Sequence, residues 1–279
     1  MRGRTVLITG AGQGIGAGAA ERLYGRGANV VLVDIEAGAL EALAGRLGER
    51  ARWAQADVTD PDALARAVDG AVEAFGGVDV AIANAGIGQV GPLAAAAPEH
   101  VERTLAVNLL GVWRTDRAVL DQIVARRGYL LNVASLAAVA HAPANGAYAA
   151  SKAGVEALSD SLRVELAGTG ARVGCAYFGY IDTELARTSA RDPSLQAVQR
   201  AMPAFVRRRA PLSAAVDAIE DGVTRRKARV WAPRYVGAAL ALRGILQPLS
   251  EWRAMRNQDL LEQLAGAQAE SPGAITPDS

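Results

Sequence analysis

Tyr148 and Lys152 stand four residues apart, and Ser135 stands thirteen before the tyrosine. On a helix, side chains at i and i+4 share one face, so a phenol and an ammonium at this spacing form a candidate proton-transfer pair. A free phenol titrates near ~10, and a neighbouring ammonium favours the phenolate and draws that value toward neutrality. Arginine at 152 would supply charge but would not release a proton. A hydroxyl at Ser135, at the C-terminal end of an expected strand, can bind an oxygen on which charge develops. Taken alone, Tyr-x-x-x-Lys reads more often as an exposed pair on an amphipathic helix, and Ser135 as a turn residue.

The upstream sequence changes that balance. The apolar run Thr5-Val6-Leu7-Ile8 leads into Thr9-Gly10-Ala11-Gly12-Gln13-Gly14-Ile15-Gly16, which opens a helix. Glycines let the backbone turn sharply and let a pyrophosphate reach the free N–H groups at the helix N-terminus. A second apolar run ends in Asp34, eighteen residues beyond Gly16. A carboxylate there accepts hydrogen bonds from ribose hydroxyls and repels a 2′-phosphate, which favours NAD over NADP. Gln13 agrees, since no basic side chain sits beside the turn. A nicotinamide cation would add to Lys152 in favouring the Tyr148 phenolate.

These residues need a scaffold in which strands and helices alternate. Apolar runs recur at Val30–Val33, Val78–Ile82, Tyr129–Val133, Arg172–Tyr177 and Arg229–Trp231, with a weaker one at Ala51–Ala56. Between them lie segments of helical spacing. Leu64, Val68, Val72 and Phe75 mark one face of a helix that Thr59-Asp60-Pro61 would open. The expectation is an α/β fold: one doubly wound parallel sheet of about seven strands, buried on both faces, with helices on each side. Residues 1–250 form the expected domain and 251–279 a C-terminal extension, loose from about Ser271.

Composition excludes several alternatives. The chain has 279 residues, 30 basic and 29 acidic side chains, one cysteine and two histidines. One cysteine builds neither a disulfide framework nor a cysteine-rich zinc site. No acidic or histidine cluster has ligand spacing, so no metal is expected. Near-neutral charge gives no overall drive toward nucleic acid, and the clusters Arg207-Arg208-Arg209 and Arg225-Arg226-Lys227 lack interleaved aromatics. With no signal-peptide core and no long apolar span, a cytoplasmic protein is expected.

With these motifs in order, the sequence resembles the short-chain dehydrogenase/reductase family over about residues 4 to 235. Thr9-Gly10-x-x-x-Gly14-x-Gly16 is similar to its cofactor turn, with Gln13 and Ile15 inside it. Asp57-Val58 is similar to its adenine-contacting pair. Asn84-Ala85-Gly86 matches its motif after the fourth strand, with Ala83 where an asparagine is usual. Asn108 falls where the family places a structural and proton-relay asparagine, completing a tetrad with Ser135, Tyr148 and Lys152. The resemblance implies an NAD(P)-dependent enzyme acting on CH–OH groups. Tyr148 would serve as general acid/base and Ser135 would hold the substrate oxygen. Lys152 would hold the nicotinamide ribose and lower the tyrosine pKa, while Asn108 would position a relay water. Ile181 would offer backbone to the carboxamide, with Thr183 nearby. Phe178 replaces the usual proline before Gly179, so φ is not fixed there. The family also implies a homodimer or homotetramer.

Two segments bear on the substrate. Between Thr183 and Leu212 an expected lid carries Leu185, Leu195, Val198, Met202, Phe205 and Val206, with Arg187, Arg191, Arg200 and Arg207 to Arg209. It reads either as helices with a solvated arginine face or as a basic rim for an anionic head. The apolar stretch 231–249 can pack on the core, form a subunit interface or lie on a membrane surface, ranked in that order. Pro248 and the polar residues after Glu251 are expected to end it. His141 reads as an exposed loop residue and His100 as a helix-start residue. The leading function is an NAD(H)-dependent oxidoreductase of a hydrophobic secondary alcohol or carbonyl. The alternatives are an NADPH-dependent ketone or ketoacyl reductase and a non-catalytic dinucleotide-binding sensor.

Overall fold

The structure, a computed structural model, describes residues 1–269 other than Gln89, Arg191 and Pro203; the tail expected from Ser271 lies outside the described residues. Seven strands form one sheet: β1 Thr5–Thr9, β2 Asn29–Asp34, β3 Ala51–Gln55, β4 Val80–Ala83, β5 Tyr129–Val133, β6 Arg172–Phe178 and β7 Arg229–Ala232. Their order is β3-β2-β1-β4-β5-β6-β7, and every neighbouring pair is parallel. Chain order reverses between β1 and β4, where successive crossovers leave on opposite faces. This is the doubly wound, Rossmann-type arrangement the alternating pattern predicts.

Five helices cover the two faces near the switch: α1 Gly14–Gly25, α2 Ala37–Leu47, α3 Pro61–Phe75, α4 Pro98–Leu105 and α5 Gly111–Ala125. After them come α6 Gly146–Glu165, α7 Glu184–Ser189, α8 Pro193–Ala201, α9 Ala204–Arg207 and α10 Leu212–Arg225, then α11 Arg234–Ala241, α12 Arg243–Ala254 and α13 Gln258–Ala269. Alternation within β1 shows how the layers form. Val6 and Ile8 join Ala19, Ala20 and Leu23 of α1 and Ile219 of α10 on one face. Leu7 joins Leu64 and Val68 of α3 and Val119 and Ile123 of α5 on the other. Both sets are buried, so the strand is apolar throughout. The edge strands depart from that expectation: Trp53 of β3 and Trp231 of β7 are 41% and 46% exposed, because helices cover only part of each edge.

The start of α3 follows the sequence signal. The Asp60 carboxylate accepts from the N–H groups of Asp62 and Ala63 at 2.9 and 3.1 Å, and Gly76 closes the helix at φ +77°. The run from α4 to α5 holds a feature that periodicity does not reveal. Ala106–Leu110 form a π-helical turn, in which Gly111 donates to the Ala106 carbonyl. At the C-terminus, α12 continues through Pro248 to Ala254, past the stop expected there. The residue four before this proline is the exposed Gly244. Its carbonyl can turn to water when the proline removes its donor.

Two features generate stability predictions. A Cβ at Gly16 would lie 2.1 Å from the Gly10 carbonyl oxygen, whereas one at Gly25 meets nothing within 4 Å. Gly16→Ala should therefore destabilise by ~2 kcal/mol or more. Gly25→Ala should be neutral or gain up to ~1 kcal/mol. Urea titration of both variants checks this, and equal midpoints would contradict it.

Between α5 and β5 the buried Asp116 carboxylate accepts from Asn132 Nδ2 at 2.7 Å. Asp116 Oδ1 and Asn132 Oδ1 have no hydrogen-bond partner among the described residues. Burial pushes the Asp116 carboxyl up to about 7, against a weaker opposing effect of Asn132. A folded-state pKa above the unfolded value of 3.8 means that stability falls as pH rises from about 4 to 7 and then levels. Asp116→Asn should remove that limb and offer its amide to the orphaned oxygen. Thermal melts should show a larger gain at pH 8 than at pH 5, on the order of a few °C; equal shifts at both would contradict this account.

Candidate active site

The carboxyl ends of β1, β2, β4, β5 and β6 open onto one cleft of about 1820 Å³. It is lined by Gly10, Gln13, Gly14, Ile15, Asp34, Asp57, Val58, Asn84, Ala85 and Gly86, and by Ser135, Tyr148, Lys152, Ile181 and Thr183. Gly16 and Asn108 lie behind this surface, both buried. The candidate catalytic and cofactor-binding residues are therefore on the cleft or buried behind it.

At one end the glycine turn is held open by its neighbours. Gly10 and Gly14 have φ of +65° and +56°, values that glycine adopts without strain. A Cβ at Gly10 would lie 2.8 Å from Ala85 Cα. Asn84 ties the turn to β4. Its Nδ2 donates to the carbonyls of Thr9 and Gly10 at 3.0 and 3.1 Å. Thr9 Oγ1 accepts from the N–H groups of Asn84 and Ala85. Thr183 Cγ2 lies 3.7 Å from where a Gly14 Cβ would stand, so the chain after β6 borders the turn. Thr183 Oγ1 also caps α7 by accepting from Ala186 N at 3.2 Å.

Beyond the turn, both Asp34 oxygens are fixed by backbone. Oδ2 accepts from Gly12 N at 2.9 Å, and Oδ1 from the N–H groups of Ile35 and Glu36 at 2.7 and 3.2 Å. Asp57 accepts from Thr59 N, Thr59 Oγ1 and Arg103. Burial alone would raise its carboxyl, but these bonds outweigh it and hold the group below the ordinary range. An open backbone turn at a helix N-terminus, with a carboxylate fixed beside it, is a donor and acceptor set that fits a dinucleotide.

At the other end, α6 brings Tyr148 and Lys152 beneath Ser135. Lys152 is buried, and its Nζ donates to the Val133 carbonyl at 2.8 Å while lying 5.7 Å from the Tyr148 ring centroid. Burial lowers its pKa to about 8, close to where a proton relay works. Burial raises the Tyr148 phenol, and a hydrogen bond with Ser135 pulls the other way. The side chain that draws the phenol down here is thus Ser135, while the Lys152 ammonium is turned to the β5 carbonyl. Ser135 Oγ also donates to Phe178 O at 3.3 Å and accepts from Ala137 N.

Asn108 sits in the π-helical turn. Its Oδ1 accepts from Ile87 N at 2.8 Å, and its Nδ2 donates to Ile87 O at 2.9 Å and Ser151 Oγ at 3.3 Å. The side chain thereby clamps the loop after Asn84-Ala85-Gly86. Gly86 keeps space open between the two polar groups: a Cβ there would lie 3.2 Å from Asn108 Oδ1 and 3.7 Å from Lys152 Nζ.

Phe178, in the place of the usual proline, is buried at the end of β6 among the core residues of the α1 face, in register with Ala232. Ile181 bridges Ala210 through the neighbouring peptides, with Asp182 N donating to Ala210 O and Ala210 N to Tyr180 O. The N–H and C=O of Ile181 take no part in those bonds.

The lid resolves into α7, α8 and α9. Its lining side chains are mostly apolar, Leu185, Leu195, Val198, Met202 and Val206, with Glu184 the charged exception among the described residues. Three of its arginines are engaged elsewhere. Arg187 pairs with Asp182, Arg200 with Gln263 and Arg209 with Asp182, while Arg207 and Arg208 are exposed. Arg191 and the side chain of Phe205 lie outside the described residues. His100 is exposed on α4, and His141 is an exposed loop residue at the cleft margin. Sequence reasoning missed Arg103, Tyr180 and the walls supplied by α12 and α13. For those walls the signal was present in the helical spacing of Leu246, Leu249 and Trp252. Among the described residues no helix is long and apolar enough to cross a membrane.

Comparison with known proteins agrees with this geometry. The family model for short chain dehydrogenase matches residues 4–194. Oxidoreductase UcpA of Escherichia coli (strain K12) is 37% identical over 196 residues, covering 68% of this chain and 74% of its own length. A 3-alpha-(or 20-beta)-hydroxysteroid dehydrogenase of Mycobacterium tuberculosis (strain ATCC 25618 / H37Rv) is 36% identical over 184 residues, covering 66% and 71%. Among solved structures, a 3-ketoacyl-(acyl-carrier-protein) reductase from Brucella melitensis complexed with NADH matches at TM-score 0.73 and 27% identity, covering 83% of this chain and 97% of that one. A short chain dehydrogenase/reductase from Burkholderia phymatum in complex with NAD matches at TM-score 0.77 and 25% identity, covering 90% and 95%. The chain belongs to the short-chain dehydrogenase/reductase family of NAD(P)-dependent oxidoreductases.

Proposed function

We propose that the chain interconverts a hydrophobic secondary alcohol and its ketone, with NAD as the preferred cofactor. The observation that carries this reading is that Ser135, Tyr148 and Lys152 share one cleft with the open glycine turn and Asp34. A nicotinamide dinucleotide bound there supplies or accepts the hydride. Gly10, Gly14 and the first turn of α1 would receive the pyrophosphate. Asp34 would take the adenosine ribose hydroxyls, Asp57 and Val58 the adenine, and the Ile181 backbone the carboxamide.

The chain's own groups account for the proton. Ser135 Oγ holds the substrate oxygen, and Tyr148 Oη takes the hydroxyl proton in oxidation and returns it in reduction. Lys152, with its pKa lowered to about 8, passes the proton outward at near-neutral pH. Asn108 acts by holding the Ile87 loop and by its place in the π turn, where backbone carbonyls lose their regular partners; a relay water would meet the chain there. The apolar lid lining favours a hydrophobic substrate. The pairing of Arg187, Arg200 and Arg209 weighs against an anionic head held by those three side chains. We further propose a homo-oligomer, which Trp113 on α5 and Val164 on α6, 47% and 76% exposed, support as apolar surface open to a second copy.

The preference for NAD rests on charge. Asp34 and Glu36 both line the ribose end, and Arg103 there is held by Asp57, which leaves a 2′-phosphate facing carboxylates.

Two measurements test this. Tyr148→Phe should reduce kcat by 10²-fold or more, on the order of what general acid/base groups contribute, while NADH titration gives an unchanged Kd; near-normal turnover would overturn the assignment. Asp34→Ser should raise kcat/KM with NADP relative to NAD by ~10-fold or more, of the order of one lost charge repulsion. A wild-type enzyme that already prefers NADP would overturn the cofactor reading.

A further inference from the structure

We infer that α12 and α13 form the distal wall of the substrate cleft and make the enzyme select alcohols or ketones with a long apolar body; this rests on the oxidoreductase reading above. The cleft does not stop at the lid. Its lining runs from Ser135 and Tyr148 to Leu246, Leu249, Trp252, Met255 and Leu261 of the C-terminal helices. At about 1820 Å³ it exceeds the roughly 300–1,000 Å³ typical of a single ligand pocket, so there is room for a long substrate beside a dinucleotide.

The wall is seated on both sides of the catalytic centre. Gln247 pairs with the main chain of His141: its Oε1 accepts from His141 N at 2.8 Å and its Nε2 donates to His141 O at 3.3 Å. His141 lies in the segment joining Ser135 to Tyr148. Arg243 reaches Glu156 of the catalytic helix α6 at 3.0 Å. Leu260 of α13, 4% exposed, packs with Ala144 of the same catalytic segment and with Ala197 and Val198 of the lid. Arg200 of α8 donates to Gln263 of α13 at 2.7 Å. Lid and C-terminal helices are therefore one structure, closed over the catalytic segment.

The inner surface of that structure carries open apolar groups among polar ones such as Glu251, Arg253 and Asp259. Trp252 is 51% exposed and Met255 70% exposed, although both line the cleft. The guanidinium of Arg256 lies 4.0 Å from the Trp252 ring centroid and holds the ring in place. Apolar groups left in water at the mouth of a binding cleft gain from an apolar occupant, and the gain grows with the area it covers. An alkyl chain or fused-ring body reaching from the Tyr148 hydroxyl would cover them. The wall lies beyond residue 194, where the family match ends.

The test is titration calorimetry of the full chain, saturated with NADH, using 2-dodecanone and 2-hexanone. Wild type should bind 2-dodecanone at least ~10-fold more tightly, a modest share of what six methylenes can contribute. Trp252→Ala and Met255→Ser should each weaken 2-dodecanone ~3- to 10-fold while leaving 2-hexanone, NADH affinity and the melting temperature unchanged. Gln247→Ala, which unseats α12 without touching the apolar surface, should produce the same selective loss. Equal affinity for the two ketones in wild type, or parallel loss of both in the variants, would overturn the inference. Turnover of the same ketones is read separately: selective binding without reduction would sink the oxidoreductase reading and leave the distal wall standing.

Discussion

The site depends on a cross-tie at the place where the sheet changes direction. Between β1 and β4 the chain leaves on opposite faces, and this opens a crevice beyond their ends. Asn84 and Thr9 bind its two sides together through four hydrogen bonds, each reaching backbone on the opposite strand's end. The tie sets the height of the glycine turn relative to the loop after β4, and that loop in turn carries Gly86 and Ile87 to Asn108. The Gly10 and Gly16 backbones can then pack closer than any side chain would allow. The glycine turn and the Tyr148–Lys152 pair thereby share one frame, although more than 130 residues separate Gly10 from Lys152.

Burial has opposite effects on the two ionisable groups of the centre. It raises the Tyr148 phenol and lowers the Lys152 ammonium, because each loses hydration in its charged form. Their ordinary values lie close together, so burial drives the two apart: the phenol holds its proton more tightly and the ammonium releases its own more readily. The same physics acts on Asp116, where no chemistry follows from it and the result is a stability cost at high pH.

Much of this arrangement was legible in the sequence where local chemistry decides it. The cap at Asp60, the i, i+4 placement of Tyr148 and Lys152, and the glycines before α1 each follow from the behaviour of a few neighbouring residues. Other features follow from what happens across space. A one-residue π insertion around Asn108 barely disturbs an apolar period. The lid arginines look like a basic rim until Asp182 and Gln263 are placed beside them. Pro248 looked like a stop because its cost depends on the carbonyl four residues back, here on an exposed glycine. Exposed tryptophans at β3 and β7 reflect strand order, which no single run reveals.

The seat of α12 has its own consequence. Gln247 meets the peptide groups of residue 141, not its side chain. A contact made to the main chain is indifferent to the residue that occupies the position. The imidazole of His141 could be exchanged for a group of another size or charge without unseating the helix. The segment between Ser135 and Tyr148 can therefore vary the surface it shows to the cleft while its backbone stays moored, so that shape and anchorage are under separate control.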